Sequence, residues 1–163
     1  MKVYVIRERM FRLGQDFTIT DEAGRPVMYV DGKVLSLHGR VMLADPSGRS
    51  VGEVHRKLVA LTATYEITVD GKNVAEVRKR PFTVFGRRFT IDVRGAGDME
   101  ISGDLLGHEF TIERDGEIVA NASKACLSLS DSYAVDIAPA EDAVLILASV
   151  LAVDLAMDSE HQD

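Results

Sequence analysis

The chain has 163 residues, 46% hydrophobic and 28% charged, with a formal net charge of −7. That length suits one domain with a real core. The acidic balance, with 6% aromatics and no Trp, argues against a general grip on phosphate backbones and against base-stacking platforms. No nucleic-acid partner is expected.

The opening Met1-Lys-Val-Tyr-Val-Ile-Arg-Glu-Arg9 lacks the apolar stretch of about 7–15 residues that marks a signal peptide. With the single Cys126 unable to form an internal disulfide, the expected compartment is a reducing cytoplasm.

Val3-Tyr-Val-Ile6 reads as a first strand, and a repeat follows. An aromatic or β-branched anchor opens a strand at Phe17, Val41, Tyr65, Phe89, Phe110 and Tyr133, at spacings of 24, 24, 24, 21 and 23. After the first five anchors come turn signals: Asp21-Glu-Ala-Gly24, Asp45-Pro-Ser-Gly48, Asp70-Gly71, Arg94-Gly-Ala-Gly97 and Asp115-Gly116. Such sequences allow the positive φ that tight hairpins need. Return strands then follow at 26–30, 50–54, 73–77, 99–102 and 117–120, several of them alternating apolar with small or polar residues as half-buried antiparallel strands do. The tally is 12 strands.

Where a sixth return strand would stand, Ala138-Pro-Ala-Glu-Asp142 leads into an apolar run from Ala143 to Val153, and Leu155-Ala-Met157 continues it past Asp154. Pro139 suits a first helical turn, and Glu141 and Asp142 suit the positive end of the dipole, so a helix is predicted over about 140–157. It is apolar on every face and needs cover on every face, yet it falls short of the about 20 residues a membrane span requires. Two-stranded units are too thin for propeller blades, and a solenoid or a one-sided sandwich would leave part of the helix bare. The expectation is therefore mainly β: a closed 12-stranded antiparallel barrel of about six hairpin repeats, enclosing the C-terminal hydrophobic helix. Residues 1–158 form that single domain, with 159–163 a disordered tail.

Lys33-Val-Leu-Ser-Leu37, Asp70-Gly-Lys-Asn-Val-Ala-Glu-Val77, Ser132-Tyr-Ala-Val-Asp-Ile137 and Glu141-Asp-Ala-Val-Leu-Ile-Leu-Ala-Ser-Val-Leu-Ala-Val-Asp154 resemble the LURP-one-related proteins through nearly the whole chain. The resemblance implies a fold similar to the Tubby C-terminal domain and the phospholipid scramblases, a 12-stranded barrel around a central helix. The Tubby relatives bind phosphoinositides and tether to membranes. No catalytic motif carries over.

Nine residues on from Gly24, Gly48 and Gly71 stand Lys33, Lys57 and Arg80, and Arg78-Lys79-Arg80 with Arg87-Arg88 puts five cations on one predicted hairpin. In an acidic chain such a concentration can draw a phosphate-rich headgroup or an anionic membrane surface. The candidate anion site is thus Arg78, Lys79, Arg80, Arg87, Arg88, Lys57 and Lys33. The bland reading is that these are simply solvated strand faces.

His38, His55, His108 and His161 have no His or Cys partner at metal-ligand spacing, and no D-x-D-x-D loop gives Asp142 or Asp154 a calcium role. No metal or cofactor is expected. His108-Glu109 are adjacent only in sequence, and neighbours on a strand face opposite ways. Cys126 reads as a buried inert thiol, and Ser128–Ser132 as a hairpin loop with no nucleophile elbow. Asp154 must pair, accept hydrogen bonds or reach the rim, and is placed near the barrel mouth. The expected function is a non-enzymatic binding or tethering module for an anionic ligand such as a phospholipid headgroup, in the cytoplasm and peripheral to a membrane. The alternative is a structural or protein-interaction scaffold without a small-molecule ligand.

Overall fold

The computed structural model describes residues 1–7, 16–31, 39–59, 62–80, 89–124 and 132–161. The strands run in chain order as β1 (Lys2–Arg7), β2 (Phe17–Asp21), β3 (Pro26–Asp31), β4 (Arg40–Ala44), β5 (Ser50–Val59) and β6 (Thr62–Val69). They continue as β7 (Lys72–Lys79), β8 (Phe89–Val93), β9 (Met99–Asp104), β10 (Glu109–Arg114), β11 (Glu117–Ser123) and β12 (Ser132–Ile137), before helix α1 (Ala143–His161). Each strand pairs antiparallel with its chain neighbour, and β1 closes on β12 from Lys2↔Ile137 to Arg7↔Ser132, completing a 12-stranded barrel. Every expected strand is present. β5 and β6 are longer than expected and pair from Gly52↔Val69 to Val59↔Thr62.

The repeat explains the closure. The anchors Phe17, Val41, Tyr65, Phe89, Phe110 and Tyr133 are all buried, which fixes strand register because a one-residue slip would turn each of them outward. Two residues beyond the anchor, the ladder shifts register at Ile19/Thr20, Leu43/Ala44, Ile67/Thr68 and Ile112/Glu113. Bulges of this kind bend a strand and sharpen its twist, so one in each of four of the five turn-end hairpins, β8–β9 being regular over its described pairs, curls the sheet toward closure. Asp70 and Gly71 (φ 48° and 79°) and Asp115 and Gly116 (φ 53° and 80°) take the left-handed conformation that two-residue hairpins demand. The short turns after β2, β4, β6, β8 and β10 share one end of the barrel with the approach to α1; this is the turn end. The other is the loop end, where Asp104–His108 joins β9 to β10.

At the turn end the approach to α1 differs from the expected helical turn. Glu141 N–H donates to Ala138 O at 3.0 Å, so Pro139 occupies a β-turn, where its fixed φ also fits. The helix begins at Ala143, capped by Asp142, whose Oδ1 accepts from Val144 N at 2.9 Å and Leu145 N at 3.3 Å. Such a cap satisfies two of the four orphan amides of the first turn. Arg114 ion-pairs with Glu141 and donates from Nε to Gly97 O at 3.0 Å, tying the approach to β10. The helix runs on to His161.

From Leu145 to Met157 every residue of α1 is buried, and full burial of a Leu, Ile or Val side chain contributes about 1.5–3 kcal/mol. The helix backbone lies nearest β5, β6 and β7, with β12 next. At Gly52 a Cβ would stand 2.7 Å from Val144 Cγ1, so glycine is what lets helix and wall approach there. Among the described residues no helix is long and apolar enough to cross a membrane.

Candidate functional site

Two groupings of polar side chains stand out, one on the outer wall near the loop end and one beneath that end. The ladders align Lys57 with Thr64, Thr64 with Arg78, Arg78 with Thr90 and Thr90 with Glu100. The next row away from the loop end aligns Arg40, His55, Glu66, Glu76 and Asp92. Rows of cations and carboxylates thus lie side by side, and each cation reaches across. Lys57 pairs with Glu66, and Arg78 with Glu76 and with Asp92 at 3.5 Å. Arg80 pairs with Glu100 at 2.9 Å and donates to Thr90 Oγ1 at 3.0 Å. The hydrogen bond from Lys57 is the main reason the Glu66 carboxyl titrates below its ordinary value.

The structure therefore brings Lys57 level with Arg78, where counting from the turns aligned it with Arg80. Closing a barrel staggers its strands, so residues equally far from their turns do not share a hydrogen-bonded row. Lys79 ends β7 and Arg80 follows it. Lys33, Arg87 and Arg88 lie outside the described residues, as do His38, Cys126 and Ser128–Asp131.

Beneath the loop end, Asp154 of α1 is 8% exposed and His108 3%. Asp154 Oδ1 lies 2.8 Å from His108 Nε2, and its Oδ2 accepts from Tyr133 Oη at 2.5 Å. The His108 and Tyr133 rings stack with centroids 4.2 Å apart and planes 24° from parallel. His108 reaches this position from the β9–β10 turn, with φ 55°, uncommon for a residue with a Cβ. Gly103 beside it has φ 132°, and a Cβ there would fall 2.6 Å from Glu109 O. Glu109 faces elsewhere, accepting from Lys124 N at 2.8 Å and Ser123 Oγ at 3.2 Å.

Asp154 is thus placed as its position in the helix required, near the mouth, but covered and held by two donors. Local sequence does not single out His108 and Tyr133 as its partners. The signal available was the carboxylate itself: one charge in an apolar helix obliges nearby strands to supply donors. The cluster fastens the far end of α1 to β12 and to the β9–β10 turn. Among the described residues no group of three or more His, Cys, Asp or Glu is arranged to hold a metal ion.

The family model described as LURP-one-related matches residues 2–154. An uncharacterised protein of Bacillus subtilis, YxjI, is 30% identical over 158 residues, covering 97% of this chain and 95% of its own. A solved structure of an Arabidopsis thaliana protein shares the fold at a TM-score of 0.69 and 18% identity, over 94% of this chain and 89% of that one.

Proposed function

The chain belongs to the LURP-one-related family, and from that premise we propose that it is a non-enzymatic binding module that takes anionic ligands at the loop end of its barrel. The observation that supports this reading is the set of cations near the rim, Lys57, Arg78 and Arg80 on the outer wall with Lys79 at the end of β7, beside a lumen already filled by α1. A ligand must come to the outside. The Lys57, Arg78 and Arg80 side chains are 41%, 53% and 46% exposed, and ion pairs so open to water contribute about 0–1 kcal/mol each. A phosphate accepting two parallel N–H bonds from a guanidinium can displace such a carboxylate. Arg87 and Arg88 stand just before β8 in the chain. The module would act in the cytoplasm, peripheral to a membrane of acidic lipids.

The second reading, a protein-interaction scaffold, draws on the same wall: these three cations already have acids beside them, and Leu106 at the tip of the β9–β10 turn is 43% exposed. Vesicle co-sedimentation separates the two. On the binding-module reading, wild type sediments with phosphatidylserine or phosphoinositide vesicles and not with phosphatidylcholine, binding weakens as salt rises, and Lys79→Glu/Arg80→Glu and Arg87→Glu/Arg88→Glu variants lose it. Equal recovery on neutral and anionic vesicles would remove the anion site and leave the scaffold.

A further inference from the structure

We infer that the β9–β10 turn is a wedge that inserts Leu106 among the headgroups of an anionic bilayer, so that the barrel docks with its loop end down. The inference rests on the anion-binding reading above and adds to it an apolar contact and an orientation. Leu106 is 43% exposed, and the turn that carries it is braced on both sides. Leu105 before it is buried, and the buried His108 after it lies 2.8 Å from Asp154. Within the turn Asp104 Oδ1 accepts from Gly107 N at 2.9 Å, and Leu105 O from His108 N at 3.4 Å. A side chain held outward by pinned neighbours loses little further freedom on binding. Cations flank the turn. Arg80 reaches Glu100 of β9 at 2.9 Å from one side, and Lys124 follows β11 on the other, its N–H on Glu109 of β10. Arg7 and Arg56, both exposed, lie in the loop-end halves of β1 and β5.

One exposed leucine is ordinary on any protein surface; its setting is what distinguishes Leu106, and Ile118 supplies the contrast. Ile118 is 54% exposed at the turn end, where it faces Glu113 across the ladder and follows Asp115-Gly-Glu117. The five turns of that end (21–25, 45–49, 70–71, 94–98 and 115–116) hold six carboxylates, Asp21, Glu22, Asp45, Asp70, Asp98 and Asp115, against three arginines and no large apolar residue. An anionic surface repels such an end and draws the opposite one. Peripheral binding gains from buried apolar area and from attraction to acidic lipids together, and only the loop end offers both.

The chain has no Trp, so Leu106→Trp and Ile118→Trp each carry a single indole as reporter. On phosphatidylserine vesicles the Leu106→Trp emission should move to shorter wavelength and be quenched by brominated acyl chains, while the Ile118→Trp emission stays as it is in buffer. Leu106→Ser should weaken vesicle binding by about three- to tenfold, the share of a leucine's burial that its 43% open surface represents. That factor should persist as salt rises, because apolar burial is not screened as charge is. Ile118→Ser should bind as wild type does. Quenching in the Ile118→Trp protein, or in neither protein while both still sediment with the vesicles, would overturn the docked orientation and leave the anion site standing. Wild type that sediments with no vesicle would overturn the anion-binding reading and this inference with it, leaving a protein partner as the cover for Leu106.

Discussion

Removing the Tyr133 hydroxyl tests whether the Asp154 cluster holds the helix. Tyr133→Phe keeps the ring that stacks on His108 and deletes one of two donors to a carboxylate 8% exposed. A hydrogen bond to a charged group contributes about 1.5–3 kcal/mol, and leaving a buried charge without compensation costs about 3–5 kcal/mol. Because His108 still donates, the lower range applies. In a domain of this length each kcal/mol moves the melting temperature by about 2–4 °C, so a fall of about 3–12 °C is expected. Urea titration should show a lower midpoint with an unchanged slope, the sign of a native-state loss. A double-mutant cycle sharpens the assay: in an Asp154→Leu background Tyr133→Phe should cost little, giving a coupling above about 1 kcal/mol. A Tyr133→Phe protein that melts with wild type, or additive losses in the cycle, would refute the account of the cluster as a fastening.

Leu147→Asp should yield no folded protein, since Leu147 is fully buried in the lumen and an unpaired charge there costs several kcal/mol; a soluble variant with wild-type circular dichroism would contradict the enclosed helix. Gly103→Ala should lower stability by more than about 1 kcal/mol, because its φ of 132° and the 2.6 Å approach to Glu109 O are both hostile to a Cβ, and a melting curve matching wild type would count against the turn geometry described. The Asp21 carboxyl is held below its ordinary value chiefly by the Arg25 backbone N–H, and that of Asp45 chiefly by the Ser47 hydroxyl. Groups so depressed stabilise the fold above their unfolded pKa, and the benefit goes as pH drops through the folded one. Asp21→Asn/Asp45→Asn should therefore trail wild type in melting temperature above about pH 5 and converge with it as pH falls below about 4. A gap constant from acid to neutral pH would argue against both braces.

Most of the wall was legible because its signals are local. Phe17, Tyr65 and Phe110 with the residues two places on announce inward faces at fixed spacing, and Asp70-Gly71 and Asp115-Gly116 specify turns whose geometry few other residues adopt. The helix was legible by elimination, being apolar on every side and too short to span a bilayer. What escaped depends on closure. His108 and Asp154 are 46 residues apart in sequence, and Tyr133 joins them only once β12 has zipped onto β1 and α1 has been threaded at its actual depth. The alignment of Lys57 with Arg78 likewise follows from strand stagger, which spacing along the chain does not encode. Pro139 misled because a fixed φ near −65° serves the second residue of a turn as well as the first turn of a helix.

The position of α1 after all twelve strands has a consequence for biosynthesis. Translation releases the N-terminal part of a chain first, so the wall is made before the segment that fills it. Until Ala143–His161 emerges, the inward anchors have only one another for cover, and the closing pair Lys2↔Ile137 waits for a partner 135 residues downstream. Contacts that distant in sequence form late and slowly. The nascent chain therefore spends most of its synthesis as unsealed hairpins with apolar faces turned to solvent, the condition that recruits chaperones and favours edge-to-edge association. A premature stop anywhere before the helix would not leave a shortened barrel; it would leave a sheet with no interior.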